Sequence, residues 1–366
     1  MICRSIRVGD FRNINEAQIE FSPGVNLLRG DNAQGKTNLL EAIYYMAIGK
    51  SFRGASEAEM IGFGKSSAFV SLDFEDNIRR QNLSVTFYRD KRRKFVQNGV
   101  SIYKMSDIVG AMRAVLFSPD NLSLIKNGPS ERRSWLDTAL CQSRPVYMQS
   151  LSRFNKILKQ RNKLLKDADE DRRTFNETIG FWSEQLARES AVLARFRAEY
   201  VSRAAEGVYR FFSEMTGDAE KPEMTFVCSS KLEPDVLCDT EAVYSAYLAL
   251  LSGNLEREIA VGSTLWGAHK DDIDISINGR ASRDYASQGQ QRSLALAMKL
   301  AEGEICYSEC GEYPVFLLDD VLSELDGKRR SYLLNELCDR QVIMTGCDES
   351  HGGGAHIIRV LGGCFE

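Results

Sequence analysis

Gly30-Asp31-Asn32-Ala33-Gln34-Gly35-Lys36-Thr37 sets two glycines, a lysine and a hydroxyl at the spacing G-x-x-x-x-G-K-[ST]. Glycine permits a tight turn whose N–H groups face an anion, and a helix start adds positive potential. Lys36 would then reach the β- and γ-phosphates of a nucleotide, and the Thr37 hydroxyl would ligate Mg²⁺. The loop follows the apolar run Val25 to Leu28 and opens the helical run Gly35 to Ile48. That strand-then-helix setting is what the chemistry requires.

A second piece of the same chemistry lies near the other end. Val315-Phe316-Leu317-Leu318-Asp319-Asp320 is a continuous apolar run closed by two carboxylates. It suits a parallel strand buried on both faces, with ligands gathered at its carboxyl end. Buried strands often end in Asp, so the run says little alone. Paired with the phosphate loop, it assigns Asp319 to Mg²⁺, directly or through water, and Asp320 to the attacking water.

Ser287-Gln288-Gly289-Gln290 precedes an amphipathic helix carrying Leu294, Leu296, Met298 and Leu300. It offers a hydroxyl, a glycine and a helix N-terminus to an anion. An ordinary capped helix is the plainer reading of that turn in isolation. Since the chain already has one phosphate cradle, a second points to the γ-phosphate held by another copy.

The elements that must position these groups read as an α/β protein. Ile2 to Val8, Gln18 to Phe21, Val25 to Leu28, Ala68 to Phe74, Leu83 to Tyr88, Lys94 to Gln97 and Ala114 to Phe117 have strand character. Asn98-Gly99 and Asn278-Gly279 are hairpin turns. Ser118-Pro119-Asp120 opens a helix, with Ser118 as N-cap.

From about Ser130 to Thr216 the pattern is helical. Leu151, Phe154, Leu158 and Leu165 lie near heptad spacing, and Phe181, Gln185, Arg188 and Val192 continue on a second helix. A compact helical insertion or a short antiparallel arm fits these brief seams. A loop-rich stretch (Gly217 to Pro234), a helix (Thr240 to Glu258), a strand (Ile273 to Ile277), a helix (Gln290 to Ile305) and strands Val315 to Leu318 and Gln341 to Thr345 complete the chain, the last as the final strand. The expected division is 1–127 and 259–366 as one head built from both chain ends, with 128–258 inserted as a helical domain.

With 366 residues, 43% of them apolar, two domains are the natural count. A net charge of −4 gives no global attraction to nucleic acid, so any such binding must come from a local patch. The nine cysteines never fall at C-x-x-C spacing, which argues for reduced thiols rather than a disulfide framework or zinc site. Charge interrupts every apolar pair from Met1 to Arg7, and no stretch approaches the roughly 20 apolar residues of a membrane span. A cytoplasmic protein is expected.

In this order, the phosphate loop, the Ser287 to Gln291 signature, the Leu317 to Asp320 strand and the following Ser323-Glu324-Leu325-Asp326 resemble ABC-type ATPase heads. Within that class the chain resembles the RecF family of bacterial recombination and repair proteins. The likeness includes Gly30 to Ile43, Phe117 to Asp120, Gly128 to Trp135, His269-Lys270-Asp271-Asp272, Ser287 to Glu302 and Leu317 to Asp326, essentially the whole chain. The resemblance implies an ABC/SMC-type head whose two ATP sites form in a head-to-tail, ATP-dependent homodimer. Ser287 to Gln290 of one subunit would face the phosphate loop of the other, and Ser323 and Asp326 would lie at the seam. Ser118 to Asp120 lies where such heads carry a γ-phosphate-sensing loop, without the glutamine typical of transporters.

Two departures stand out. Met344-Thr345-Gly346-Cys347-Asp348 lacks the switch histidine of many ABC heads, and His351 comes a few residues late. Asp320 replaces the Glu common after the first Asp, so slow hydrolysis, suited to a timed clamp, is expected.

Arg89, Lys91, Arg92, Arg93 and Lys94 gather beside Asn98-Gly99, and Arg153, Lys156, Lys159, Arg161, Lys163 and Lys166 crowd one helix. Each cluster could neutralise DNA phosphates or be a solvated face. The resemblance favours DNA. It implies a weak, DNA-dependent ATPase that binds single-strand gaps and single/double-strand junctions, works with RecO and RecR to load RecA, and serves the SOS response. Arg92, Arg93 and Lys94 are the expected contacts. A transporter ATPase fits less well, because about 250 residues separate Thr37 from Ser287 and no apolar docking face is evident. A small-molecule kinase has no use for Ser287 to Gln290.

Overall fold

The computed structural model describes residues 1–218, 220–346 and 354–366. The chain runs β1 (Ile2–Phe11), β2 (Ile14–Glu20), β3 (Val25–Arg29), α1 (Lys36–Ile48), α2 (Glu57–Met60), β4 (Ser67–Glu75), β5 (Arg80–Tyr88), β6 (Lys94–Gln97), β7 (Val100–Ile102) and β8 (Ala114–Phe117). Next come α3 (Ser123–Lys126), α4 (Pro129–Ser143), α5 (Pro145–Lys166), α6 (Arg172–Thr216), β9 (Pro222–Val227), α7 (Thr240–Gly253), α8 (Leu255–Val261), β10 (Asp272–Ile277), β11 (Arg280–Ala281), α9 (Ser282–Tyr285) and α10 (Gln288–Cys310). β12 (Val315–Leu318), α11 (Gly327–Glu336), β13 (Val342–Gly346), β14 (His356–Leu361) and β15 (Cys364–Phe365) follow. These elements form two units, residues 1–121 with 299–366, and residues 122–298.

The first unit holds two six-stranded sheets. One is antiparallel, in the order β2-β1-β4-β5-β6-β7, and the other has the order β15-β14-β3-β13-β12-β8. In the second, β14, β3, β13, β12 and β8 are parallel, and β15 returns antiparallel at the edge. β12 lies between β13 and β8 and all four of its residues are buried, which explains its unbroken apolar sequence. Helix α1 is buried all round from Leu39 to Ile48, as expected of a helix threaded between apolar faces. Its core reaches Val70, Leu72 and Val85 of the antiparallel sheet and Leu116, Leu317 and Ile343 of the parallel one. The Asn98-Gly99 hairpin appears as expected, both residues at positive φ (50° and 82°).

In the second unit α5 and α6 run antiparallel, Arg153 bonding Glu189 and Arg161 bonding Ser183. A small sheet, β11-β10-β9, completes it. The segment His269 to Asp272 ties this unit together. Buried Asp271 accepts from the Tyr247 hydroxyl at 2.8 Å and the Ser229 N–H at 2.9 Å, while Asp272 takes a forked pair of bonds from Arg132 at 2.7 and 2.9 Å. Arg197, buried in α6, reaches Asp137, Asp271 and the carbonyl of Ala268.

Several expectations are corrected. Residues 259–298, expected in the head, cluster with the helical unit, because β10 pairs with β9 rather than with either large sheet. The stretch expected to be loop contains β9, and Thr240 to Glu258 is broken between α7 and α8 at Gly253-Asn254. The strand ending near Thr345 is not the last, since β14 and β15 follow. The seam expected on the second helix lies on the wrong face. Phe181 is 58% exposed, whereas Ser183, Ala187, Ser190, Ala191 and Ala194 are buried. Among the described residues no helix is long and apolar enough to cross a membrane.

Candidate nucleotide site

Residues 30–35 turn between β3 and α1. Ala33 (φ 66°) and Gly35 (φ 108°) both adopt left-handed backbone conformations. Lys36, 8% exposed, folds back over the loop, its Nζ donating to the Gly30 carbonyl and, at 3.0 Å, to the Asp31 carbonyl. The ammonium is thus held where it can exchange loop carbonyls for phosphate oxygens.

Supports from distant parts of the chain hold the loop. In the β1–β2 turn, Asn13 donates to the Ala33 carbonyl at 3.2 Å and accepts from Asn38 at 2.7 Å. At the β14–β15 turn, the Gly363 N–H donates to the Gln34 carbonyl at 3.0 Å, and the Gly362 N–H to the Gln34 side chain. A methyl group on Gly30 would lie 2.2 Å from the Val360 carbonyl oxygen of β14, so this position has no room for a side chain.

The ends of β12 and β13 meet the loop. The Thr37 hydroxyl donates to Asp319 Oδ1 at 2.8 Å across 282 residues, and the Thr345 hydroxyl approaches the same oxygen at 3.2 Å. Burial pushes the Asp319 carboxyl above its usual range, against the hydrogen bonds from Thr37 and Thr345, and neighbouring Asp320 adds to the rise. Asp320 is exposed, takes φ 51°, and donates its N–H to Thr345 Oγ1 at 2.8 Å. An open cleft of about 550 Å³ lies over these groups, lined also by Asn32, Ser118, Pro119, Asp120 and Arg53.

The donor set fits a hard cation. Thr37 supplies a hydroxyl and Asp319 a carboxylate whose burial favours neutralisation, and Mg²⁺ usually takes one or two protein oxygens with phosphates and water. The cleft's volume suits a nucleotide. Of the assigned residues, the cleft gathers Asn32 to Thr37, Asp319 and Asp320, while Gly30 and Asp31 meet it only through the carbonyls that hold Lys36.

The remaining candidates are described by their own surroundings. Ser287 and Gln290 form a reciprocal cap at the start of α10, the Ser287 N–H donating to Gln290 Oε1 at 2.6 Å and the Gln290 N–H to Ser287 Oγ at 3.3 Å. Ser287 and Gln288 are exposed, and Gly289 is half-buried. Asp326 caps α11, accepting from the Arg329 N–H at 3.0 Å, and Ser323 donates to the Asp320 carbonyl at 2.8 Å. Arg92 and Lys94 are exposed, but Arg93 is occupied by an ion pair to Glu57 and lies over the Phe95 ring. Arg161 leaves the second basic cluster altogether, being fully buried against Glu258 at 2.5 Å. Cys347, Asp348 and His351 lie outside the described residues.

Sequence reasoning missed Asn13, Arg53, Thr345 and the Gly362-Gly363 turn. Thr345 ends an expected strand and could have been suspected from that position. Arg53 donates to Asn38 at 2.9 Å and lies 3.8 Å from buried Glu41, and nothing in its local sequence marks it.

Residues 2–356 match the family model described as RecF/RecN/SMC N terminal domain. The DNA replication and repair protein RecF of Ruminiclostridium cellulolyticum is 35% identical over 372 residues, covering 99% of this chain and 98% of that protein. RecF of Shouchella clausii is 38% identical, over 92% and 90% of the two chains. A solved structure of the recombination mediator protein RecF-ATPrS in the RecFOR pathway superposes with TM-score 0.94 at 33% identity, covering 100% and 97%. A likeness to an SmcHead bound to the C-winged helix domain of ScpA, TM-score 0.58 at 16% identity over 100% and 96%, is one of fold.

Proposed function

The chain belongs to the RecF family of DNA replication and repair proteins, with the fold of ABC/SMC-type ATPase heads, and on that premise we propose that it is an ATP-gated DNA clamp. The observation that carries the reading is the Thr37–Asp319 hydrogen bond at the floor of a nucleotide-sized cleft. Structures of relatives described as RecF-ATPrS and RecF-ATP support ATP as the ligand.

ATP enters with its β- and γ-phosphates over the loop from Gly30 to Thr37. Lys36 transfers its hydrogen bonds from the loop carbonyls to phosphate oxygens. Thr37 and Asp319 would hold Mg²⁺, which when bound neutralises charge on the phosphates. Asp320, exposed at the mouth of the cleft, orients the attacking water and accepts its proton. Aspartate reaches less far than glutamate, so turnover is slow. The exposed turn from Ser287 to Gln290 meets the γ-phosphate of a second copy, with Ser323 and Asp326 at the seam. The closed dimer then binds DNA at gaps and single/double-strand junctions, through Arg92 and Lys94 among others, and works with RecO and RecR in loading RecA. The work is cytoplasmic and serves recombinational repair and SOS induction.

Light scattering with ATP, ADP and no nucleotide tests the gate. ATP is expected to double the mass, Asp320→Asn to prolong the dimer, and Lys36→Ala or Ser287→Arg to abolish it. A monomer under every condition contradicts the shared site.

A further inference from the structure

Phe63 is 102% exposed, at the tip of the turn Gly62-Phe63-Gly64-Lys65. The turn is built rather than loose. Gly64 takes φ 74°, Lys65 N–H closes on the Gly62 carbonyl at 3.0 Å, and the Gly62 N–H is anchored to the Asp10 carbonyl at 2.7 Å. A large apolar ring held fully in water by a braced turn contributes nothing to the core, and a single exposed ring means little by itself; its surroundings give it meaning.

What surrounds the ring indicates its partner. Arg89 donates from Nε to the Lys65 carbonyl at 2.6 Å and from Nη2 to the Gly62 carbonyl at 3.4 Å. The turn is therefore fastened to the basic β5–β6 connection, which lies at the same end of the sheet because Ser67 pairs with Tyr88. Both of these partners are neutral carbonyls, so neither offsets the guanidinium charge of Arg89. Lys91 sits over the Tyr88 ring at 4.1 Å, and Arg92 and Lys94 are exposed. Of the acids nearby, Asp10 is paired with Lys65 at 2.9 Å and Glu57 with Arg93, and Asp90, exposed within the connection, is one carboxylate among the five cations Arg89, Lys91, Arg92, Arg93 and Lys94. A lone aromatic face beside cations is the combination that binds single-stranded nucleic acid, with bases stacking on the ring and phosphates following the charges.

We infer that Phe63 is a stacking platform for an unpaired base, placing single strand against this end of the antiparallel sheet while the β5–β6 cations hold the adjoining backbone. The inference rests on the DNA-clamp reading and adds a residue and a strand preference to it. A duplex offers no free base face, so the ring's contribution is confined to gaps, junctions and single strands.

The test uses the full-length protein with ATP, and DNA carrying 2-aminopurine at the first unpaired position of a gap, beside a matched intact duplex. Phe63→Ala should weaken gap binding by about 5-fold or more, as expected for loss of one base–aromatic stack, and remove the 2-aminopurine quenching. Duplex affinity should stay within about 2-fold, and Phe63→Tyr should keep both signals. The melting temperature should not move, since the ring touches no core. Lys91→Glu with Arg92→Glu should weaken both DNAs. Unchanged gap binding and quenching in Phe63→Ala, while wild type binds DNA, overturns the inference and leaves the clamp standing. Such a result would fit Phe63 anchoring a protein partner. Equal losses on gap and duplex overturn it in favour of a groove wedge. If wild type with ATP binds neither DNA, the clamp and the platform both fall.

Discussion

Gly30→Ala isolates the bracing of the phosphate loop by β14. The added methyl would lie 2.2 Å from the Val360 carbonyl oxygen and 3.2 Å from its carbon. Relief requires roughly 1 Å of backbone movement, because real contacts of this kind stay beyond about 3 Å. β14 cannot yield freely. It pairs in parallel with β3 up to Arg359↔Arg29, and its turn also holds Gln34. Overpacking of this kind costs about 1–3 kcal/mol, equivalent to roughly 2–12 °C in melting temperature for a unit of this size. The Gly30 carbonyl also receives Lys36 Nζ, so displacement disorganises the phosphate site. ATP affinity should fall about tenfold or more. Gly24→Ala is the control: nothing lies within 4 Å of its added methyl, and the change should stay within about 0.5 kcal/mol. Thermal melts and titration with a fluorescent ATP analogue read both effects. If the two variants melt together and bind nucleotide alike, β14 does not brace the loop.

Other consequences follow from the buried charges. The raised Asp319 carboxyl takes up its proton earlier in the folded protein than in the unfolded chain. Ligand-free stability should therefore fall as pH rises from the ordinary carboxylate range through the raised value, while Mg–ATP affinity, which needs the anion, should rise. Melts with chelator and titrations with Mg–ATP should show opposite slopes, both lost in Asp319→Asn. Burial lowers His269 to about 4 from an ordinary 6.5, so the folded protein keeps it neutral where the unfolded chain is protonated. Stability should decline as pH falls below 6.5 and level off near 4, by up to about 3 kcal/mol, and His269→Gln should flatten the profile in denaturant melts. Arg161→Ala leaves Glu258 buried without its partner and should cost about 3–5 kcal/mol in chemical denaturation. A neutral effect would return Arg161 to the surface cluster.

The sequence revealed the groups that act as consecutive residues and hid those that act only together. The phosphate loop occupies eight adjacent positions whose types are dictated by phosphate, so it was legible at once. Asn13, Arg53, Thr345 and Gly362-Gly363 come from four separate places and meet around the loop only after folding. The buried face of α6 near its middle was misread because Ser183, Ala187, Ser190, Ala191 and Ala194 share it with Leu186 and Leu193, and apolar counting ranks those small residues below exposed Phe181. β9 was missed because it is a short edge strand starting with Pro222, where only Met224 and Phe226 follow inward. Charge patterning counted Arg93 and Arg161 among surface cations, while packing committed them to Glu57 and Glu258. Binary patterns report which residues avoid water, and they do not report which charges have been paired.

The proposed dimer holds one ATP between the Lys36 loop of one copy and the Ser287 turn of another. Mixing Lys36→Ala protein with Ser287→Arg protein tests it directly, because neither can build a site with itself while the mixture assembles one intact site per mixed pair. With ATP, light scattering should find each variant monomeric alone and a dimer in the mixture, with ATP turnover restored to about half that of wild type per mixed pair. A mixture that stays monomeric and inactive, while both variants melt like wild type, would contradict the shared site.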